Sequence, residues 1–173
     1  CTRHALAMHK PGQATGVGVV EGFALGYAAV YVGIAEAAFE FTSSYVKKRV
    51  VQPENVPVAN DPAVQRQIGD LEARLDVARL TLHDSAARWE GADVAQRGHV
   101  ANRAKYLATE IGLHVTSQAV QIAGGRGAYK DYPVERAFRD MRTASLMPPT
   151  MDRMAEGMGK IALGLGGGMF EFG

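Results

Sequence analysis

The sequence predicts an all-α domain: an antiparallel, up-down four-helix bundle with a short extra helix at its C-terminal end. Three observations carry this expectation. Apolar residues recur at alternating steps of three and four over long stretches, the spacing of one helix face. Asp, Pro and Gly punctuate those stretches where helices start and stop. No stretch alternates convincingly with the period of two that a half-buried strand requires. The chain of 173 residues suffices for one domain with a sizeable core. Its 47% hydrophobic and 21% charged residues fit a globular chain, and a net charge of +1 gives no electrostatic footprint for nucleic acid.

Residues 1–16 mix Gly, Pro, Thr, His and Lys without a period, and the chain begins on Cys1. They are expected to be an irregular lead-in from a preceding domain. A first helix is expected over 17–50, with Phe23, Tyr27, Val30, Ile34, Ala37, Phe41 and Tyr45 on one stripe. Lys47, Lys48 and Arg49 crowd its end, as the helix dipole favours. Glu21 and Glu36 interrupt the apolar run from Val17 to Ala38, so it reads as a buried helix and no run is expected to span a bilayer. Residues 51–60 hold Pro53 and Pro57 and no period, and read as a loop.

Asp61-Pro62 is a start signal, since Asp caps free amides and Pro suits the first helical position. A second helix over 62–90 carries Val64, Ile68, Leu71, Leu75, Ala78, Leu82, Ala86 and Trp89 on one stripe, with Ser85 read as packing; Gly91 ends it. Asp93 opens a third helix to 123, with Ala101, Ala104, Ala108, Ile111, Val115 and Ile122 on one face and Gln118 anomalously among them. Gly124 and Gly125 close it. A fourth helix is expected over 133–146, broken by Pro148-Pro149, and a fifth over 151–163 capped by Thr150. Residues 164–173 form a Gly-rich tail expected to be flexible.

Several chemistries find no support. Cys1 is the only cysteine, which rules out an internal disulfide and suits a reducing cytoplasm. Glu110 and His114 are four apart, where a di-iron bundle needs Glu-x-x-His, and His83, His99 and His114 are scattered, so they read as surface or satisfied histidines and no metal site is expected. Arg136, Arg139, Asp140 and Arg142 read as an ion-pair network with a neighbouring helix.

The most specific stretch runs from Gln121 to Asp140: Gln-Ile-Ala-Gly-Gly-Arg-Gly-Ala-Tyr-Lys-Asp-Tyr-Pro-Val-Glu-Arg-Ala-Phe-Arg-Asp. Physically it is a helix end, a glycine turn, an aromatic loop and a new helix. A bare amide-lined turn beside a helix end can hold a phosphate, although a glycine pattern alone more often marks a plain helix cap. The stretch resembles the signature of the acyl-CoA dehydrogenase superfamily, Gln-x-x-Gly-Gly-x-Gly-(Tyr/Phe)-x-x-x-(Tyr/Phe)-Pro-(Val/Leu)-Glu-(Arg/Lys)-x-x-Arg-Asp, with Ala128 in place of an aromatic. Gly33-Ile-Ala-Glu-Ala-Ala, Tyr45 to Arg49 and Ala78-Arg79-Leu80 extend the resemblance over roughly Val17 to Lys160.

The resemblance implies the last, helical domain of a larger FAD-binding subunit that forms a homodimer or homotetramer. It implies that Arg49 contacts the cofactor diphosphate, that Gln121, Gly124 and Gly125 meet the FAD of a partner subunit, and that the Thr150 hydroxyl faces flavin. The reaction implied is dehydrogenation of an acyl-CoA or related thioester. Two departures bear on this. Val50-Val51-Gln52-Pro53 follows Arg49 where relatives carry an aromatic that covers the cofactor. Met147-Pro148-Pro149-Thr150 stands where relatives carry Tyr-Glu-Gly-Thr, so Pro148 replaces the glutamate that takes the substrate α-proton and cannot act as a base. Phe23 and Ala24 match the alternative position of that base; Glu21 lies near but off register, and is the one catalytic candidate. The 173 residues alone are therefore expected to be inactive. A flavin-dependent monooxygenase of the same fold, or a degenerate structural subunit, are the alternatives.

Overall fold

The computed structural model describes residues 19–165. The expected lead-in over 1–16 and most of the expected tail over 164–173 lie outside the described residues. The fold is carried by α1 (Val19–Lys48), α2 (Pro62–Trp89), α3 (Val94–Ala123), α4 (Pro133–Ala144) and α5 (Met151–Ala162). The boundaries have local causes. The Asp61 carboxylate accepts the Ala63 amide at 2.7 Å. Asp93 accepts the Gln96 amide at 2.8 Å while the Gln96 side chain accepts the Asp93 amide at 3.2 Å, a closed capping box. Gly124 leaves α3 at φ 70°, a conformation that disfavours any side chain.

The helices alternate in direction. Gly22 at the start of α1 lies beside Trp89 at the end of α2. Asp70 near the start of α2 meets His114 well along α3 at 3.2 Å. The ends of α1 and α3 come together where Arg49 donates to the Ala123 carbonyl. α4 returns along α3, with Met141 in the notch left by Gly112. The short C-terminal helix lies end to end with α4: Lys105 reaches the 147–149 segment, and Gly157 of α5 lies against Asn102. The fourth arm of the bundle is thus a discontinuous helix, interrupted at Pro148-Pro149.

α1 and α3 are the most closely apposed pair. Ala28 and Ala35 share one core cluster with Ala104 and Ala108, and Ala38 shares another with Ala119 and Ala123. Larger side chains, Leu71, Leu75, Ile111, Val115 and Met141, fill the rest. The Phe23-to-Tyr45 stripe flanks the face α1 buries: Tyr27, Ile34, Phe41 and Tyr45 pack half-buried against the core, but Phe23 and Val30 are 63% and 57% exposed, while Ala24, Ala28, Tyr31, Val32, Ala35 and Ala38 are buried. α1 is apolar on every side, and its small residues win the core because they let α3 approach closely. The same composition makes α1, over Gly22–Lys48, long and apolar enough to cross a bilayer by length and hydropathy, contrary to expectation. Within the bundle it is the central helix, and its Glu36 pairs with Arg79 of α2 at 2.8 Å.

The 51–60 segment is more ordered than a plain loop. β1 (Val50–Val51) and β2 (Val56–Pro57) form a short antiparallel ladder, and a single 3-10 turn, Val58–Asn60, leads into α2. Asn55 takes φ 53° in the connection, which an asparagine tolerates.

The glycines after α3 have different causes. A Cβ on Gly127 would stand 2.7 Å from the Val120 carbonyl oxygen and 2.9 Å from the Ala123 Cβ, whereas one on Gly125 would meet nothing within 4 Å among the described residues. Gly127→Ala is therefore expected to cost about 2 kcal/mol, because backbone atoms must move. Gly125→Ala, without a left-handed φ to oppose it, is expected to be neutral or up to about 1 kcal/mol stabilising. Urea denaturation of the two variants checks the contrast; equal midpoints would contradict it.

Candidate functional site

The end of α3 and the end of α1 build one polar centre. The last carbonyls of a helix lack intrahelical partners and carry partial negative charge. Here the Ala123 carbonyl accepts from Arg49 Nη1 at 3.1 Å and from the Tyr45 hydroxyl at 3.3 Å. Arg49 Nη1 also donates to the Tyr45 hydroxyl at 3.0 Å, and its guanidinium stands 5.6 Å from the Tyr45 ring centroid. Tyr45 is itself held by Phe41, stacked at 6.0 Å, and by Tyr132, edge-on at 5.8 Å. The guanidinium, although exposed, is therefore held at the helix end by Tyr45 and the Ala123 carbonyl. Lys48, Arg49 and Arg126 line an open depression beside the glycine turn, with no carboxylate among the described residues that line it. Three cations beside a bare glycine turn suit an anion.

Arg49, Gly124 and Gly125 are thus brought together, with the Gly124 Cβ position 3.7 Å from Arg49 Nη1. Gln121 lies in the last turn of α3 with an exposed side chain. Thr150 is elsewhere. It follows the Pro148-Pro149 break, opposite Lys105, and the stretch of α3 from Lys105 to Ala123 is about 27 Å long at 1.5 Å per residue. Its hydroxyl makes no cap hydrogen bond, contrary to expectation; α5 starts from the Thr150 carbonyl, which accepts the Met154 amide at 3.0 Å. The side chain of Glu21, in the first turn of α1, lies outside the described residues.

Around the break the structure reveals a residue that sequence reasoning passed over. Lys105 is fully buried, yet its ammonium donates to the Met147 and Pro149 carbonyls, both at 2.8 Å, and stands 5.6 Å from the Tyr27 ring centroid. Burial pushes it down to about 8. A lysine at 105 falls on the spacing of Ala101 and Ala108, and that position was the available signal.

Other expectations resolve as follows. His114 is satisfied by Asp70, whose carboxyl is held below the usual range by hydrogen bonds from Arg74 and His114. His99 is different: among the described residues its buried Nδ1 has no hydrogen-bond partner, and it lies against a cavity that Arg88, Gln96 and Ile161 also line. The basic cluster of α4 pairs within its own helix, Arg136 with Asp140 and Arg139 with Glu135, rather than with a neighbour, because four-residue spacing already aligns the charges. Among the described residues no group of three His, Cys, Asp or Glu side chains converges.

The family described as "Acyl-CoA dehydrogenase, C-terminal domain" matches residues 25–147. A 3-(aryl)acrylate reductase of Clostridium sporogenes is 34% identical over 128 residues, covering 74% of this chain and 33% of the relative. Butyryl-CoA dehydrogenase from Megasphaera elsdenii shares the fold at TM-score 0.77 and 28% identity, over 83% of this chain and 37% of that one. Dibenzothiophene monooxygenase from Paenibacillus does so at TM-score 0.74 and 26% identity, over 86% and 41%. The chain spans about a third of the length of the curated relatives it matches. With the matched stretch running from α1 through the glycine turn to the break, the chain belongs to the C-terminal domain family of the acyl-CoA dehydrogenases.

Proposed function

We propose that this domain completes the flavin site and the subunit interface of an FAD-dependent oxidoreductase that oxidises an acyl-CoA or related thioester. The observation that carries the reading is the cationic glycine turn: Arg49 is locked onto the Ala123 carbonyl, with Lys48 and Arg126 around the same depression. A diphosphate fits this donor set, because a fixed guanidinium and unhindered backbone at Gly125 offer charge and close approach together. When bound, FAD would accept the hydride removed from the substrate. The residues of this chain supply part of the site: Arg49 meets the cofactor diphosphate, Gln121, Gly124 and Gly125 meet the FAD of a partner subunit, and Thr150 faces flavin from the break. A homodimer or homotetramer in the cytoplasm follows from the same reading. The large apolar side chains of α1 left outside the bundle, Phe23 and Val30, support packing against a further domain or subunit.

A second reading is favoured by Pro148. A monooxygenase needs no carboxylate at that position, and the fold is shared with dibenzothiophene monooxygenase. A catalytically degenerate subunit is the third reading. Anaerobic mixing of the full-length flavoprotein with a panel of acyl-CoAs decides among them. Bleaching of the flavin by a thioester is the expected result; its loss in Glu21→Gln makes Glu21 the base, and bleaching that survives the change places the base elsewhere. No bleaching by any thioester, with oxygen consumption after external reduction, establishes the monooxygenase instead. Absence of bound flavin leaves only the structural role.

A further inference from the structure

We infer that Lys105 is a positioning residue for the interrupted fourth arm: its buried ammonium clasps the Met147 and Pro149 carbonyls and so fixes the direction in which Pro148 and Thr150 are presented. The catalytic consequence rests on the proposed flavin chemistry; the clasp itself does not.

The segment between α4 and α5 has little else to hold it. Pro148 and Pro149 have no amide hydrogen to donate. The Leu146 and Met147 amides are spent on α4, and the Thr150 carbonyl on α5. Among the described residues Lys105 is the one side chain that hydrogen-bonds to 146–150. Pro148 and Thr150 are exposed, whereas the lysine that holds the segment is buried.

The choice of residue is informative because it is costly. A buried ammonium without a carboxylate partner is unfavourable, and an apolar chain of the same length would pack more easily. An apolar residue would, however, leave both carbonyls unpaired at the break. Lys105 supplies donors in a tetrahedral head on a long stem, so one side chain on α3 meets two carbonyls of the fourth arm while its charge rests against the Tyr27 ring of α1. Three arms of the bundle therefore meet at one nitrogen, and the exposed residues of the break are set relative to α1 and α3 rather than drifting with α5. Movement of about 1 Å in such a segment can cost up to about a hundredfold in rate when it faces reacting atoms.

The test uses the full-length protein with bound flavin and three variants: Lys105→Met, Lys105→Arg and the control Ile111→Val, a core change on the same helix that leaves the clasp intact. Hydrogen exchange reads the clasp. In Lys105→Met, exchange of the amides over 145–155 is expected to rise at least tenfold, while the 113–123 end of α3 stays as in the parent and Ile111→Val shows no such confinement. Flavin reduction or turnover reads the consequence: kcat falls about tenfold or more, with KM and flavin affinity within twofold of the parent. If Lys105→Met does not fold, Lys105→Arg, which keeps a cationic donor in a displaced position, is read by the same criterion. Unchanged exchange, or an increase spread evenly over the bundle, overturns the clasp. Confined exchange with unchanged kcat overturns the positioning role. Confined exchange in a protein whose parent turns over nothing upholds the clasp and defeats the proposed flavin chemistry, so the two failures are distinct.

Discussion

Replacing Arg49 with alanine is expected to weaken flavin binding by the full-length protein about a hundredfold. The estimate follows from hydrogen bonds to a charged group, worth about 1.5–3 kcal/mol, at tenfold per 1.4 kcal/mol. In the structure Arg49 is already oriented: one nitrogen is engaged with the Ala123 carbonyl and the Tyr45 hydroxyl, and the guanidinium lies 5.6 Å from the Tyr45 ring centroid. Little ordering remains to be done when a diphosphate arrives, so the loss on truncation is large. Arg49→Lys keeps the charge without the planar fork and is expected to lose about tenfold. The same arginine joins α1 to α3, and Arg49→Ala is expected to lower the stability of the flavin-free protein by about 1 kcal/mol. Fluorescence titration of flavin, with denaturation of the flavin-free protein alongside, separates the two effects. An affinity within twofold of the parent would remove Arg49 from the site.

The second large effect is in stability against pH. Lys105 titrates near 8 in the folded chain and near the usual lysine value of 10.5 when unfolded. Between those values the unfolded chain holds a proton that the folded chain has released, so stability rises with pH. From pH 8 to pH 10 this amounts to about 2 kcal/mol, at 1.36 kcal/mol for each pH unit fully spanned. The neutral amine still carries enough hydrogens for both carbonyls, which is why deprotonation relieves the burial cost without breaking the clasp. Tyr27 faces the ammonium from α1. Tyr31, raised above the usual tyrosine range by burial and by Tyr27, acts in the opposite sense above pH 10 and sets the upper limit of the window. Urea midpoints of the parent and of Lys105→Met at pH 7.5 and 9.5 give the comparison. The parent gains stability and the variant does not; parallel behaviour would place the titration on other groups.

What was legible in the sequence was what is locally determined. Asp61, Asp93 and the glycines after α3 set helix ends through bonds to residues a few positions away, and these were readable without knowing the fold. The α3 stripe was readable because large and small apolar residues share one face. The buried face of α1 was not, since periodicity ranks faces by side-chain size when most of a helix is apolar, whereas packing buried a face rich in alanine. Arg49 and the glycine turn were legible through the resemblance; their junction at the Ala123 carbonyl depends on α1 and α3 running parallel, which spacing does not encode. Lys105 was missed because a charge inside an apolar stripe reads as an interruption until the carbonyls it serves, more than forty residues away, are in view.

The alanine contacts between α1 and α3 decide which kinds of change this domain can absorb. A position already reduced to a single methyl has almost nothing to lose by truncation, so the damage that usually begins with a missing methylene cannot begin there. It has a great deal to lose by growth, because each added carbon must wedge apart two helices of 30 residues along their shared length. The spacing of the frame is therefore fixed by backbone proximity and not by the fit of large side chains. Variation is left to the outward residues of α1, Phe23 and Val30 among them, which can change size and shape without altering the distance between the helices beneath.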